Sequence, residues 1–327
     1  MPAPLAKFVD WYATQYIWTF KRTRALLKST SGQTLDPKQS KLDEAVEFLN
    51  GPDFIPVETK PSQLEFHGQK HFTFPTPRPC DAVENNTVHG RLYRCGEKWQ
   101  ERPVIILLHG GTDFFNHHYR FPWMAPACNR AGFNAATLVA PYHFQRHARQ
   151  LTDRSYLRLA HSFSQAVAEI RALTGWFLAQ GCPAVTLWGI SLGGWYAGLS
   201  ACRDTRIASV VMAVPGVRPD YIFTRAEHII WPGIKQALQA QAPARLALST
   251  TPLNLTTWKP VIPKENILIV EGKYDYFVEA DAIEELWQKW SQPEIWRLPH
   301  GHVSWMLTPG INGRILDWLA SRSVSRL

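Results

Sequence analysis

The segment 184–194, Ala-Val-Thr-Leu-Trp-Gly-Ile-Ser-Leu-Gly-Gly, constrains the fold more than any other stretch of this chain. An apolar run compatible with a buried strand enters Gly-x-Ser-x-Gly, and a helix-compatible run, 192–202, leaves it. A strand-to-helix turn this sharp has no room for β-carbons at its flanks, which accounts for Gly189 and Gly193. The turn lifts the Ser191 hydroxyl clear of the sheet. It also places the Leu192 N–H at a helix N-terminus, where the dipole favours developing negative charge. Ser191 is therefore read as a nucleophile.

The remaining chain supplies a sheet for such a turn. Residues 104–109 form a continuous apolar run ending in glycines, as expected of a strand buried on both faces. Downstream of it, strand patterns at 135–140, 184–188, 207–214, 267–270 and 294–298 alternate with helical patterns at about 118–131, 156–178, 192–202, 279–290 and 311–319. Such alternation predicts a mostly parallel central sheet with helices on both faces. Short period-two runs at 64–66, 72–74 and 88–93 read as earlier strands. Between Pro215 and about residue 264 no clear strand appears, and a structureless loop of that length is improbable. That segment, about 216–264, reads as an inserted lid carrying Trp231 and Trp258. One helical pattern spans 5–28, with Phe8, Tyr12, Tyr16 and Phe20 spaced by four. A second starts at Asp36 and Pro37 and stops at Gly51. The expected organisation is a helical N-terminal extension with the first strands (1–84), followed by one catalytic domain (85–322).

A serine hydroxyl needs a base, and the order expected in this setting is serine, acid, histidine. Asp275 lies just after the 267–270 strand, at the edge where sites of open α/β sheets collect; Asp220 is its rival. Two histidines, His300 and His302, follow the last strand, and the small residue before His302 favours it as the base. The oxyanion donors are read as the Leu192 N–H and the Gly111 N–H, with Gly110 or Thr112 as register alternatives. His109 is read as a brace of that loop.

With His-Gly-Gly at 109–111, Gly-Ile-Ser-Leu-Gly at 189–193, Asp275 and Gly-His at 301–302 in this order, residues 85–322 resemble an α/β-hydrolase of the serine esterase or lipase type. The run Pro141-Tyr142-His143 with Arg146 and Arg149 resembles the bacterial branch related to α/β-hydrolase-domain protein 18, with Phe144 standing where that branch carries glycine. The resemblance implies the α/β-hydrolase fold and an acyl-enzyme on Ser191, with His302 as base and Asp275 as orienting acid. It implies no cofactor and no metal. A hydrophobic carboxylic ester is the expected substrate. Lipid deacylation at a membrane surface, amide cleavage or acyl transfer on the same residues, and a non-catalytic binding protein are the alternatives. Thr112, Tyr142, Arg146 and Trp231 are the expected substrate contacts, with Arg146 or Arg149 meeting an acidic group.

Composition bounds the rest. The chain has 35 Lys+Arg against 27 Asp+Glu and a formal charge of +8, which raises the question of an acidic partner. No nucleic-acid-binding motif accompanies the charge. The basic, aromatic 5–28 helix has two readings: a helix packed on the domain with its aromatics buried, or a peripheral contact with an anionic membrane. The five cysteines are irregularly spaced, which argues against a disulfide framework or zinc ribbon and fits a reducing compartment. With no signal peptide pattern and no long apolar run, a cytoplasmic protein is expected. Nothing in the sequence addresses oligomeric state.

Overall fold

The computed structural model describes residues 3–19, 41–55, 63–111, 113–147, 155–221 and 239–323. Nine strands form one sheet in the order β1-β2-β3-β5-β4-β6-β7-β8-β9. They are β1 (Glu65–His67), β2 (His71–Pro75), β3 (Thr87–Tyr93), β4 (Val104–Leu108), β5 (Asn134–Leu138), β6 (Val185–Ile190), β7 (Ile207–Ala213), β8 (Ile267–Gly272) and β9 (Glu294–Leu298). The pairings β1–β2, β2–β3 and β3–β5 are antiparallel, and all pairings from β5 to β9 are parallel. The short early strands thus extend the same sheet rather than form a separate one.

The described helices are α1 (Ala3–Thr19), α2 (Leu42–Asn50), α3 (Phe121–Arg130), α4 (Tyr156–Ala179), α5 (Leu192–Ala201), α6 (Ala242–Ser249), α7 (Ala280–Lys289) and α8 (Ile311–Ser323). Strand side chains alternate between two cores, as a period of two requires. Val104, Ile106, Val210, Met212, Ile267 and Ile269 face one core, shared with residues of α2, α4, α5 and α7. Ile105, Leu107, Val211, Ala213, Leu268 and Val270 face the other, shared with α3 and α8. The central strands are buried on both sides, so their unbroken apolar runs are what a covered parallel sheet demands.

This topology creates a crevice. After β4 the chain turns to α3 on one face, and after β6 it turns to α5 on the other. Adjacent strands whose chains leave to opposite faces open a cleft at their C-terminal ends. Ser191 and the 109–111 loop both lie there.

Helix α1 departs from the reading in which its aromatics are buried against the domain. Its aromatics Phe8, Trp11 and Tyr12 are exposed, whereas Ala6 and Asp10 are buried. Among the described side chains of α1, Ala6 and Asp10 are the fully buried ones, and the rings Phe8, Trp11 and Tyr12 pack on each other. The expected start of α2 at Asp36 and Pro37 lies outside the described residues, as do Phe20 and residues 222–238, which include Trp231. The described part of the 216–264 segment contains α6 and short 3-10 turns but no strand. Its 250–262 stretch is clasped to the body by indole N–H groups. Trp195 donates to the Leu253 carbonyl at 2.8 Å and Trp290 to the Trp258 carbonyl at 3.1 Å. All five cysteines are free thiols.

Candidate active site

The Ser191 turn is built from backbone constraints. Ser191 sits at φ 53°, ψ −114°, a conformation that L-residues adopt only at a cost. Three backbone hydrogen bonds hold it there: its N–H donates to Ala213 O at 2.9 Å, and its carbonyl accepts from Trp195 N at 3.0 Å and Gly216 N at 3.2 Å. A Cβ on Gly189 would lie 2.1 Å from Gly193 O, and one on Gly193 would lie 2.3 Å from Leu108 O. These glycines let β6, β4 and α5 meet backbone to backbone. Gly193→Ala is accordingly expected to push α5 off β4, lowering stability by roughly 2–3 kcal/mol and displacing Ser191. The urea midpoint and serine-probe labelling check this; a variant with wild-type values for both would contradict it.

His302 lies on the loop after β9, with its Nε2 2.9 Å from Ser191 Oγ and its Nδ1 2.7 Å from Asp275 Oδ2. The other carboxylate oxygen of Asp275 accepts the N–H groups of Phe277 at 2.7 Å and Val278 at 2.9 Å, which fixes its plane. The Phe277 ring packs 4.8 Å from the imidazole. Burial disfavours the His302 cation, but the charge and hydrogen bond of Asp275, joined by the charges of Asp10 and Asp113, outweigh it and raise its pKa above 6.5. With Asp275 accepting at Nδ1, the neutral ring carries its proton there and presents a lone pair at Nε2. The row is therefore arranged to take a proton from the serine hydroxyl.

The rivals lie elsewhere. His300 is buried, with its Nδ1 lacking a hydrogen-bond partner among the described residues, and its backbone carbonyl accepts from Tyr274 N at 2.9 Å. Asp220 is paired with Arg218 at 2.7 Å. Gly110 and Gly111 pass directly over the elbow: a Cβ on Gly110 would lie 3.3 Å from Ser191 Cβ, and one on Gly111 would lie 3.7 Å from Leu192 Cδ2. Leu192 opens α5, whose first amides have no intrahelical acceptor. Thr112 lies outside the described residues.

Two residues brace the glycine loop. His109 is buried; its Nε2 accepts the Ala140 N–H at 3.1 Å, so its Nδ1–H donates to Gly110 O at 2.7 Å. Burial holds it neutral, with a pKa well below 6.5. Asp113, which the sequence does not single out, accepts from Gly110 N at 3.2 Å and from the Asn116 side chain at 2.6 Å. Its position two residues beyond the glycines was the available signal.

The expected substrate contacts fare differently. Arg146 is fully buried, and its guanidinium grips Glu169 at 2.7 and 2.6 Å together with Val139 O and Asn85 O. It has no surface to offer an anionic substrate, so that expectation is corrected: the arginine is a structural clamp. Tyr142 turns its hydroxyl to Cys80 at 3.5 Å and its ring to Arg158. Tyr142 is half-buried, and its place as a substrate contact stays a proposal. Trp231 and Arg149 lie outside the described residues. Among the described residues no group of three or more His, Cys, Asp or Glu side chains could hold a metal ion. No described helix is long and apolar enough to cross a membrane.

Comparison with known proteins agrees with this architecture. The family described as alpha/beta hydrolase domain containing 18 matches residues 69–224. Proteins of two Mycobacterium tuberculosis strains, both described as uncharacterized, are 30% identical over 233 residues, covering 67% of this chain and 53% of their own. The chain therefore spans about half the length of the curated relatives it matches. Among solved structures, an esterase from Pyrococcus furiosus aligns with a TM-score of 0.57 at 14% identity, covering 81% of this chain and 99% of that one. An acetyl xylan esterase from Paenibacillus sp. R4 aligns at 0.54 with 13% identity, covering 84% and 92%. A 2,6-dihydroxy-pseudo-oxynicotine hydrolase aligns at 0.55 with 16% identity, covering 98% and 79%. At such identities the likeness is one of fold.

Proposed function

We propose that this chain, which has the α/β-hydrolase fold and is related to the alpha/beta hydrolase domain containing 18 family, is a serine hydrolase of carboxylic esters. The observation that carries the reading is the hydrogen-bonded row Ser191–His302–Asp275 at the crevice between β4 and β6. In it, Ser191 Oγ attacks the ester carbonyl carbon as its proton passes to His302 Nε2. The carbonyl oxygen becomes an oxyanion facing the Leu192 and Gly111 amides. The new imidazolium is stabilised by Asp275, which orients the ring without taking its proton. The tetrahedral intermediate expels the alcohol, which leaves with the proton from His302, and the acyl group stays on Ser191. A water molecule, deprotonated by the same Nε2, then releases the acid and restores the serine.

The base must be neutral to act. Its pKa is raised above 6.5, so activity is lost as pH falls through that value, and the acid limb of kcat/KM is expected above pH 6.5. A panel of p-nitrophenyl esters and matched anilides, run at several pH values, tests the reading. Ester turnover with an acid limb in that range supports it. Hydrolysis confined to the anilides, or turnover unchanged in His302→Ala, contradicts it.

A second reading, deacylation of a lipid at a surface, is favoured by one observation. Phe114, Phe115, Tyr119, Trp123 and Leu307 are all at least half exposed, and they follow the β4 and His302 loops that border the crevice. With the exposed rings of α1 they put apolar surface at the catalytic edge, the usual mark of an interaction site. Preference for micellar over monomeric esters of the same chain length would support this reading; equal rates would defeat it. A small hydrophobic ester free in solution is the substrate in the first reading. No nucleic-acid partner enters either.

A further inference from the structure

Helix α1 reaches the site from 292 residues away through one side chain. Asp10 is fully buried, and its two carboxylate oxygens accept the backbone N–H groups of His302 and, at 3.0 Å, of Val303. The same carboxylate accounts for Gly301: a Cβ there would lie 2.1 Å from Asp10 Oδ2. The glycine before the histidine is thus the surface on which the carboxylate docks. The loop is closed from its other side by the Gly301 N–H donating to Ser304 Oγ at 2.8 Å. A buried carboxylate beside a second one is costly to keep. Burial first, and then the charge of Asp275, raise the Asp10 pKa to about 6 against the pull of the two amides and of His302.

We propose that Asp10 is a positioning residue for His302, holding the histidine loop by its two consecutive amides so that the imidazole spans Ser191 and Asp275, and that α1 is therefore part of the active site. The inference rests on the reading of Ser191 as nucleophile and His302 as its base. Asp10 meets His302 at its backbone N–H, so it acts through the backbone and through its charge. The carboxylates that face His302 are Asp275 after β8, Asp113 after β4 and Asp10 on α1, and all three favour its cation. Removing the Asp10 charge lowers the His302 pKa, which moves the acid limb to lower pH.

The test uses the full chain and a fluorophosphonate probe, whose rate of labelling reports serine nucleophilicity without a known substrate. Labelling is followed against pH for wild type, Ser191→Ala, Asp10→Ala and Asp10→Asn, with Tm measured for each. Asp10→Ala is expected to label at least roughly tenfold more slowly, as displaced catalytic groups do. Asp10→Asn keeps an oxygen for one of the two amides and should recover part of that rate, with its acid limb shifted to lower pH. Its Tm should not fall at pH 8. The native carboxyl is raised from 3.8 to about 6, so the wild type loses stability from this group as pH rises through that window, and the Asn variant does not. If both variants label within twofold of wild type, with an unmoved acid limb, the proposal is overturned. If Ser191→Ala labels like wild type, the reading of the site itself falls, which separates the two failures.

Discussion

Ser191→Ala is expected to lower ester turnover by a factor on the order of 10⁴–10⁶ and to abolish fluorophosphonate labelling, with no loss of stability. The first part follows from the row: without Oγ there is no bond from protein to acyl carbon, and His302 has no proton to take. The second follows from the backbone. Ser191 is held at φ 53°, ψ −114° by hydrogen bonds of its own main chain to Ala213, Trp195 and Gly216. Alanine keeps those bonds and the same strained dihedrals. Glycine would shed the strain, about 1–3 kcal/mol, and lose about 0.5–1 kcal/mol through extra freedom in the unfolded chain. Ser191→Gly should therefore be inactive and more stable by about 1 kcal/mol. A Tm raised in the Gly variant and unchanged in the Ala variant checks the geometry independently of any substrate. Turnover surviving in both variants would place the nucleophile elsewhere.

What could be read from the chain divides along physical lines. The elbow was legible because its glycines answer to short-range backbone contacts, such as Gly189 against Gly193 O, which leave their mark within five residues. The parallel strands were legible because burial on both faces removes polar residues from entire runs. Asp275 and His302 were legible because a parallel sheet puts all its strand C-termini on one edge. Asp10 was not, because nothing local distinguishes it among the aromatics of α1; its meaning comes from amides 292 residues away. The described half of the α1 stripe, Phe8 and Tyr12, is exposed. Periodicity reports which side chains share a face, but not whether that face meets the body, and what α1 brings to the histidine loop is the Asp10 carboxylate. Arg146 was misjudged because its counter-ion, Glu169, sits within the long apolar stretch of α4, where a sequence shows no reason to expect a buried charge. Thr112 and Trp231 lie outside the described residues and are still candidate contacts.

Arg146→Ala is expected to destabilise the protein by about 3–5 kcal/mol, the range for breaking one side of a buried ion pair. Both charged side chains are fully buried, and the guanidinium meets the carboxylate fork to fork at 2.7 and 2.6 Å. The same two terminal nitrogens also donate to Val139 O at 2.8 Å and Asn85 O at 2.7 Å, while Nε has no hydrogen-bond partner among the described residues. Glu169 in turn accepts from Thr76 Oγ1 at 2.6 Å, and Asn85 is tied to Gln165 at 2.6 Å and to the Tyr142 N–H at 2.9 Å. One cluster thus joins the end of β2, the 83–86 turn, the end of β5, the 142–146 loop and α4. Alanine would leave a buried carboxylate with one hydroxyl partner, take the side-chain donor from Val139 O, and leave Asn85 O with only Gln165 Nε2 at 3.2 Å. Lysine would keep the charge but lose the fork, and should fall between alanine and wild type. Arg146→Met combined with Glu169→Leu removes the uncompensated charge and should regain part of the loss. It would not regain all, because Val139 O and Asn85 O still lose the hydrogen bonds that the guanidinium donates. Turnover per folded molecule should fall equally for neutral and anionic esters, because the guanidinium reaches no solvent. A stable Arg146→Ala variant that selectively lost anionic esters would return the arginine to the substrate pocket and defeat the clamp.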